Sequence, residues 1–435
     1  MSVQAIGLVG IAALLVLIFA RVPVGVAMGL VGFLGYASID GWARALRVLG
    51  QTPYDVSTTY TLSVVPLFIL MGDVALRSGM SAKLYDAARS MFHGVPGSQA
   101  LATVGACAGF GAICGSSVAT AAIMTRVAVP EMRRAGYDDR LSTGSVAAGG
   151  SLGILIPPSI PFVIYALIAE QSVSRLFAAG LVPGLVLTAL YMLTVVAIVL
   201  SYPAFAPESG ESRGWRERLV SALSIWDVAL LFGITIGGLY SGWLTPTEAA
   251  AVGALGAVVL GFAFGELTWD KLVESVADTI RTTGMLLLIV ICAMVFSYFI
   301  VQTQLPKILV DWAKHWQLSP IALMVALVVF YIVLGCFMDG LGMILITVPV
   351  FLPLVIASGF DPVWFGVILV VVIELGLIHP PVGMNIFVIQ AQVPDVPILS
   401  IYKGILPFLI APMVLLALLI AFPKIALWLP SLLYK

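Results

Sequence analysis

Charge is scarce in this chain. Of 435 residues, 10% are Asp, Glu, Lys or Arg, against about 25% in a soluble protein. Twenty-one basic and 22 acidic side chains cannot coat a globule of 46.0 kDa. The apolar share is 61%, where soluble domains reach about 45–50% even with Gly included. A water-soluble globule is excluded, and the chain reads as an all-α integral membrane protein that crosses the bilayer many times. The net charge of −1, with no basic tract, excludes nucleic acid as a partner and leaves the lipid bilayer as the main one. Cysteine is almost as scarce. Cys107, Cys114, Cys292 and Cys336 all lie in apolar stretches, with no CxxC spacing and no His close in sequence. They read as small buried residues rather than as a disulfide or metal site. Residues 2–20 lack a basic leader and an A-x-A cleavage site, so they read as a retained first span.

What is present is a series of charge-free windows of spanning length: 1–20, 22–39, 56–72, 90–125, 141–169, 176–207, 228–247, 249–265, 282–306, 315–338, 340–360, 375–394 and 404–423. The window 90–125 is too long for one span, and only Asp339 separates 315–338 from 340–360. Both regions read as re-entrant hairpins, about 97–131 and about 319–358, that enter and leave on one side. Pro157-Pro158 and Pro380-Pro381 fall in mid-span. Proline removes an amide donor and clashes with the preceding turn, so broken helices are expected at about 142–170 and about 363–392. The polar stretch with Glu208, Glu211, Arg213, Arg216, Glu217 and Arg218 reads as a cytoplasmic linker, 206–225, between halves 1–205 and 226–435.

A shift of 223 residues aligns the punctuation of the two halves. Pro23 falls on Pro246, Pro130 on Pro353, Gly136 on Gly359, Asp138 on Asp361, Gly153 on Gly376, and Pro157-Pro158 on Pro380-Pro381. Each half then holds five spans, one of them broken, plus one hairpin. Five crossings turn the second half upside down, which is the inverted-repeat design of secondary transporters, with sites where broken helices meet at the midplane. An N-out, C-out orientation puts thirteen Lys and Arg on the cytoplasmic side and seven outside, as the positive-inside rule prefers.

The candidate chemistry gathers at the tips and breaks. The first tip, Gly115-Ser116-Ser117-Val118-Ala119-Thr120, offers hydroxyls and freed carbonyls to a hard cation such as Na⁺, or amides and helix N-termini to a carboxylate. It reads equally as a tight helix–helix contact of small residues. Gly149-Gly150-Ser151-Leu152-Gly153 opens the first break and contains the G-x-S-x-G pattern of serine hydrolases. That pattern needs a strand before it and a His–acid partner, and this half offers neither. Asp339, at the second tip, is functional by default at membrane depth or an N-cap to the restarting helix. The second break runs from Glu374 through His379 to Asn385, three polar groups rare at that depth. His379 could titrate near neutral pH or cap a freed carbonyl. Substrate contacts are expected from Ser116, Ser117, Thr120, Ser159, Asp339 and Asn385.

Four stretches in order, the Gly115–Thr120 tip, Ile156-Pro157-Pro158-Ser159, Gly242-Trp243-Leu244-Thr245-Pro246-Thr247-Glu248-Ala249-Ala250-Ala251 and Pro380-Pro381-Val382-Gly383-Met384-Asn385, resemble the large membrane subunit of TRAP (tripartite ATP-independent periplasmic) transporters over essentially the whole chain. The resemblance implies import of a small organic acid across the bacterial inner membrane, coupled to two Na⁺. It implies two partners, a periplasmic substrate-binding protein and a small four-span membrane subunit. It also implies an elevator in which a body holding both hairpins and both broken helices slides against a scaffold. Carried over by motif position, one Na⁺ site takes Ser116, Ser117, Gly149, Gly150 and Ser151, and the other Asp339, Gly340, His379, Pro380 and Asn385. His379 stands where the family pattern has Thr, so the second site lacks a hydroxyl. Two other readings remain: a stand-alone symporter, proton-coupled through His379, and an intramembrane hydrolase using Ser151 or Ser116 with His379.

Overall fold

The structure, a computed structural model, describes residues 2–207, 218, 220, 221, 223–264 and 266–434. Most of the expected linker, including Glu208, Glu211, Arg213, Arg216 and Glu217, lies outside the described residues. Among the described residues every regular element is helical.

The chain starts with α1 (Val3–Phe19) and α2 (Val24–Asp40), followed by α3 (Trp42–Thr58), α4 (Val64–Arg77) and α5 (Met80–Phe92). Helix α3 was not among the charge-free windows. Arg44, Arg47 and Asp55 interrupt its apolar run, and it buries Ala45, Thr52 and Val56, so its signal is a face rather than a length. Next come α6 (Ser98–Cys114) and α7 (Ser117–Arg134), then α8 (Asp139–Ser151), α9 (Ile160–Ile168) and α10 (Val173–Ser201). The remainder holds α11 (Trp226–Tyr240), α12 (Pro246–Ala263) and the 34-residue α13 (Trp269–Gln302). Helices α14 (Leu305–His315), α15 (Pro320–Gly335), α16 (Gly340–Ala357), α17 (Pro362–Ile378) and α18 (Met384–Gln392) follow. The last two are α19 (Ile398–Ala421) and α20 (Lys424–Leu433). Six described helical stretches, Tyr60–Arg77 with α10, α12, α13, α16 and α19, have the length and apolarity to cross a bilayer.

Short polar side chains set many of the helix starts. Ser2, Ser172, Thr268 and Ser319 each accept an amide of the first turn. Thr245 and Glu248 form a reciprocal capping box at α12. Such caps satisfy first-turn amides that have no partner within the helix.

Helix α17 is the hub. Apart from Glu374 it is apolar on every side, and it buries every residue from Val363 to Ile378 except Leu377, as expected of a helix surrounded by other helices. At the periphery α2 lies against α13 through Gly25, Gly29 and Gly32. A Cβ on Gly32 would stand 2.7 Å from the Phe296 backbone, the small-residue spacing that lets helices approach closely in lipid.

Candidate functional site

Helix α6 ends at Gly115, whose φ of +64° lies in the left-handed region that glycine adopts without steric cost. Ser116 caps α7, its Oγ accepting the Ala119 amide at 3.4 Å, and Thr120 Oγ1 donates to the Ser116 carbonyl at 2.7 Å. The tip is therefore Gly115-Ser116 alone, and residues 117–120 form the first turn of α7. A Cβ on Gly115 would meet the Pro158 carbonyl at 2.7 Å, so this tip leans on the first break.

That break is narrower than the sequence suggested. Gly149, Gly150 and Ser151 remain helical, and the Leu152 amide donates to the carbonyls of Gly149 and Gly150. A Cβ on Gly149 would reach Cys107 at 2.8 Å, and one on Gly150 would reach Ala121 at 2.8 Å. These glycines let α6 and α7 approach α8; they do not unwind it. The non-helical run is 155–159 with a cis Pro157-Pro158 bond. Ser159 closes it, accepting the Phe162 amide at 3.4 Å and donating to the Ile154 carbonyl.

The second tip spans 336–339. Asp339 accepts the Gly342 amide at 3.0 Å, which is the N-cap geometry. The second break also shortens. Helix α17 continues to Ile378, so Glu374 sits inside a helix and the break is 379–383, with a cis Pro380-Pro381 bond. The proline ring disturbs only the turn just before it, so the helix persists to the second residue ahead of Pro380. His379 Nδ1 donates to the Pro380 carbonyl, as a ring capping a freed carbonyl would. Cys336 Sγ stands 3.4 Å from the same nitrogen. This corrects the reading that no Cys has a His neighbour: the two are 43 residues apart, and the fold joins them.

Each hairpin touches, through glycine, the helical segment that leads into its own break. A Cβ on Gly111 would meet Gly153 Cα at 2.7 Å, and one on Gly335 would meet Gly376 Cα at 3.3 Å. The second arms pack on α8 and α17 of their own halves and also reach across: α7 packs on α18, and α16 packs on α9. Asn385 Nδ2 donates to Ser117 Oγ at 2.8 Å, while Asn385 Oδ1 is buried without a partner.

Between the tips lies a cavity of about 400 Å³. Ser117 and Val118 of α7, Ile160 and Pro161 of α9, Gly340 and Leu341 of α16, and Met384 of α18 line it. These are the first residues of four helices, so four positive dipole ends lie at the cavity. Among the described residues no Lys or Arg lines the cavity, and Asp339 is its only charged side chain. Of the expected contacts Ser116, Ser117, Asp339 and Gly340 line it; Thr120, Ser159, Asn385, Gly149, Gly150, Ser151, His379 and Pro380 do not. Thr282, Met285 and Leu286 of α13 also line it. In the sequence they only open the charge-free window 282–306. Hydroxyls, carbonyls and one carboxylate suit a hard cation. Among the described residues no group of three or more His, Cys, Asp or Glu side chains could hold a metal ion.

Ser151 and His379 are not paired. The Ser151 hydroxyl contacts the Ala148 carbonyl, Tyr191 and Glu374, and its G-x-S-x-G sits on a helix end, so the hydrolase arrangement is absent. A multi-pass helical protein with two tips and two helix breaks about one cavity has the architecture of a membrane transporter. Over 88% of this chain and 90% of the other it is similar to the Alcanivorax borkumensis YdaH transporter, with a TM-score of 0.64 and 17% identity. It is also similar to Neisseria gonorrhoeae MtrF, with a TM-score of 0.55 and 17% identity over 88% of this chain and 85% of that one. Those likenesses concern the fold alone.

The family described as "Tripartite ATP-independent periplasmic transporter, DctM component" matches residues 11–425. The chain is 37% identical to the C4-dicarboxylate TRAP transporter large permease protein DctM of Pseudomonas aeruginosa, over 89% of this chain and 90% of the relative. It is 32% identical to the sialic acid large permease SiaM of Vibrio cholerae, over 96% of both. With the ectoine large permease TeaC of Halomonas elongata it shares 30% identity over 98% and 99%. The chain belongs to the DctM component family of TRAP transporters. It is a multi-pass permease subunit of a bacterial transporter and not an enzyme.

Proposed function

We propose that this permease imports a small organic acid across the inner membrane in symport with Na⁺, taking it from a periplasmic binding protein and working with a small four-span subunit. The observation that carries this reading is the cavity between the tips, lined by the first residues of four helices and, among the described residues, by no basic side chain. Amide dipoles attract a carboxylate. Asp339, in the same cavity, repels one. Two like charges in a site of low dielectric need a cation between or beside them, so the anion and Na⁺ bind together. Ser116, Ser117, Asp339 and Gly340 hold this ensemble. The unpaired Asn385 Oδ1 supplies an oxygen for one ion just behind it. Relatives named for C4-dicarboxylates, sialic acid and ectoine support a carboxylate as the common recognised group.

The two halves act as an inverted repeat, with both termini outside, and the body of tips and breaks moves as an elevator. Two Na⁺ carried with a monocarboxylate move one net charge inward. Each charge moved contributes about 2.3 kcal/mol per 100 mV. The test is uptake into liposomes holding this chain and its small partner. Accumulation should need both an inward Na⁺ gradient and the loaded binding protein. Equal uptake without either would overturn the reading.

A further inference from the structure

Glu374 is 0% exposed, and so are Ser151 and Tyr191 around it. Glu374 Oε1 lies 2.8 Å from Ser151 Oγ, which is itself 3.1 Å from Tyr191 OH. Glu374 Oε2 has no partner. No Lys or Arg closes the group: Glu374 takes part in none of the ion pairs among the described residues. A carboxyl buried this deep with one oxygen unsatisfied is destabilising. Packing alone does not account for it, since an aliphatic residue would fill the same space in the apolar α17.

Its position suggests what it does. Ser151 is the last residue of α8, just ahead of the first break, and Glu374 lies in α17, five residues ahead of the second. The separation between them is 223 residues, the offset that aligns the two halves. Under the repeat proposed above they are equivalent positions, and a contact between equivalent positions falls on the axis relating the halves. Tyr191 braces the pair from α10, its ring edge-on to Phe408 at 6.1 Å.

We propose that Glu374 is a positioning residue that ties the two broken helices together at this axis, so that a change at one break is transmitted to the other. Ion binding in one half then prepares the site in the other. This inference rests on the Na⁺ symport reading for its functional consequence, but the mechanical link can be read without it.

The experiment uses the reconstituted complex with Glu374→Gln and Glu374→Leu. Gln keeps a polar group for Ser151, and Leu keeps the volume and lacks it. Sodium activation of wild-type uptake should be cooperative, with a Hill coefficient of about 2 that falls to about 1 in the Leu variant. The Gln variant should stay near the wild-type value. A Leu variant as cooperative as wild type, or a Gln variant as uncooperative as Leu, overturns the proposal.

A second measurement needs neither Na⁺ nor transport. In a background where Cys336 is the only cysteine, Gly153→Ala presses on Ser116 and Thr120 in the first half. It should change Cys336 alkylation in the second half by about threefold with Glu374 present, and not in the Glu374→Leu variant. The same change in both overturns the link. If wild-type uptake ignores Na⁺, the symport reading falls and the alkylation result alone decides the link. If the Leu variant does not fold, the Gln variant must keep the Gly153→Ala effect, and its loss there overturns the link.

Discussion

Asn385 Nδ2 donates to Ser117 Oγ at 2.8 Å across 268 residues of sequence. The donor opens the helix after the second break, and the acceptor opens the helix after the first tip. The two residues had been assigned to different ion sites, each between a tip and its own break. The second arm of each hairpin packs both within its own half and on the restarting helix of the other half. The walls of the two proposed ion sites are therefore shared between the halves.

A buried group left unsatisfied costs about 1–3 kcal/mol, and 1.4 kcal/mol is about tenfold in a binding constant. Asn385→Ala should therefore raise the half-saturating concentrations of both Na⁺ and substrate by about tenfold. Uptake titrations in proteoliposomes check this. A rise for only one of the two would show that the bond serves one half alone.

His379 offers no hydroxyl, and its Nδ1 is taken by the Pro380 carbonyl. His379→Thr should lower the half-saturating Na⁺ concentration several-fold, by restoring an oxygen ligand near the second tip. Sodium activation curves measured at fixed substrate decide it; an unchanged or raised value would mean that the break contributes only backbone oxygens.

The architecture was legible because hydrophobic length and proline are strong local signals. Charge-free windows marked where apolar helices lie, and Pro157-Pro158 and Pro380-Pro381 marked where helices stop. The extent of each break was not legible. Gly149 and Gly150 look like unwound backbone in the sequence, yet they are close-packing positions against Cys107 and Ala121. Glycine serves both uses, and only the neighbour across the contact tells them apart. The pairs Ser117–Asn385, Cys336–His379 and Ser151–Glu374 depend on tertiary packing between helices distant in sequence, which no periodicity carries. Helix α3 was missed because a length criterion cannot see an amphipathic face.

Outside the spans, Asp138 ties the α7–α8 turn to the chain after α10. Its amide donates to the Phe205 carbonyl at 3.0 Å, and its carboxylate accepts the Arg140 amide at 2.8 Å and the guanidinium at 3.0 and 3.1 Å. Partial burial opposes the charge, but the Arg140 contacts outweigh it and hold the carboxyl below its ordinary value. Asp395 is lowered as well, chiefly by its hydrogen bond from Arg133. A depressed carboxyl contributes stability that is complete above the unfolded value, about 3.9, and is lost as pH falls through the folded value. The melting temperature of the purified protein should owe no change to these groups between pH 8 and about pH 5, then drop below about pH 4. In Asp138→Asn that acid limb should be shallower, which a melting series across pH shows directly.

Close approach makes some glycines irreplaceable and others free. A Cβ on Gly376 would lie 3.1 Å from the Gly335 backbone, whereas one on Gly284 of α13 would meet nothing within 4 Å. Gly376→Ala should destabilise by about 1–3 kcal/mol through overpacking, and Gly284→Ala should stabilise by about 0.5–1 kcal/mol. Thermal melting of the two variants side by side is the measurement. A Gly376→Ala protein as stable as its parent would show that the hairpin can slide away from α17.

Thr282 and Met285 face the cavity from α13, whereas the tips and restarting helices that close it belong to the body proposed to move. If α13 belongs to the scaffold, these side chains bound the substrate in only one position of the elevator. Met285→Trp should then obstruct loading while leaving the proposed ion ligands on the tips and breaks untouched. Substrate uptake should fall by about tenfold or more, as expected when a bulky side chain fills a binding cavity. Sodium binding followed by a conformational signal at the Cys336 tip should keep its wild-type midpoint. Loss of the sodium signal together with uptake would place α13 inside the moving body and remove the scaffold boundary drawn here.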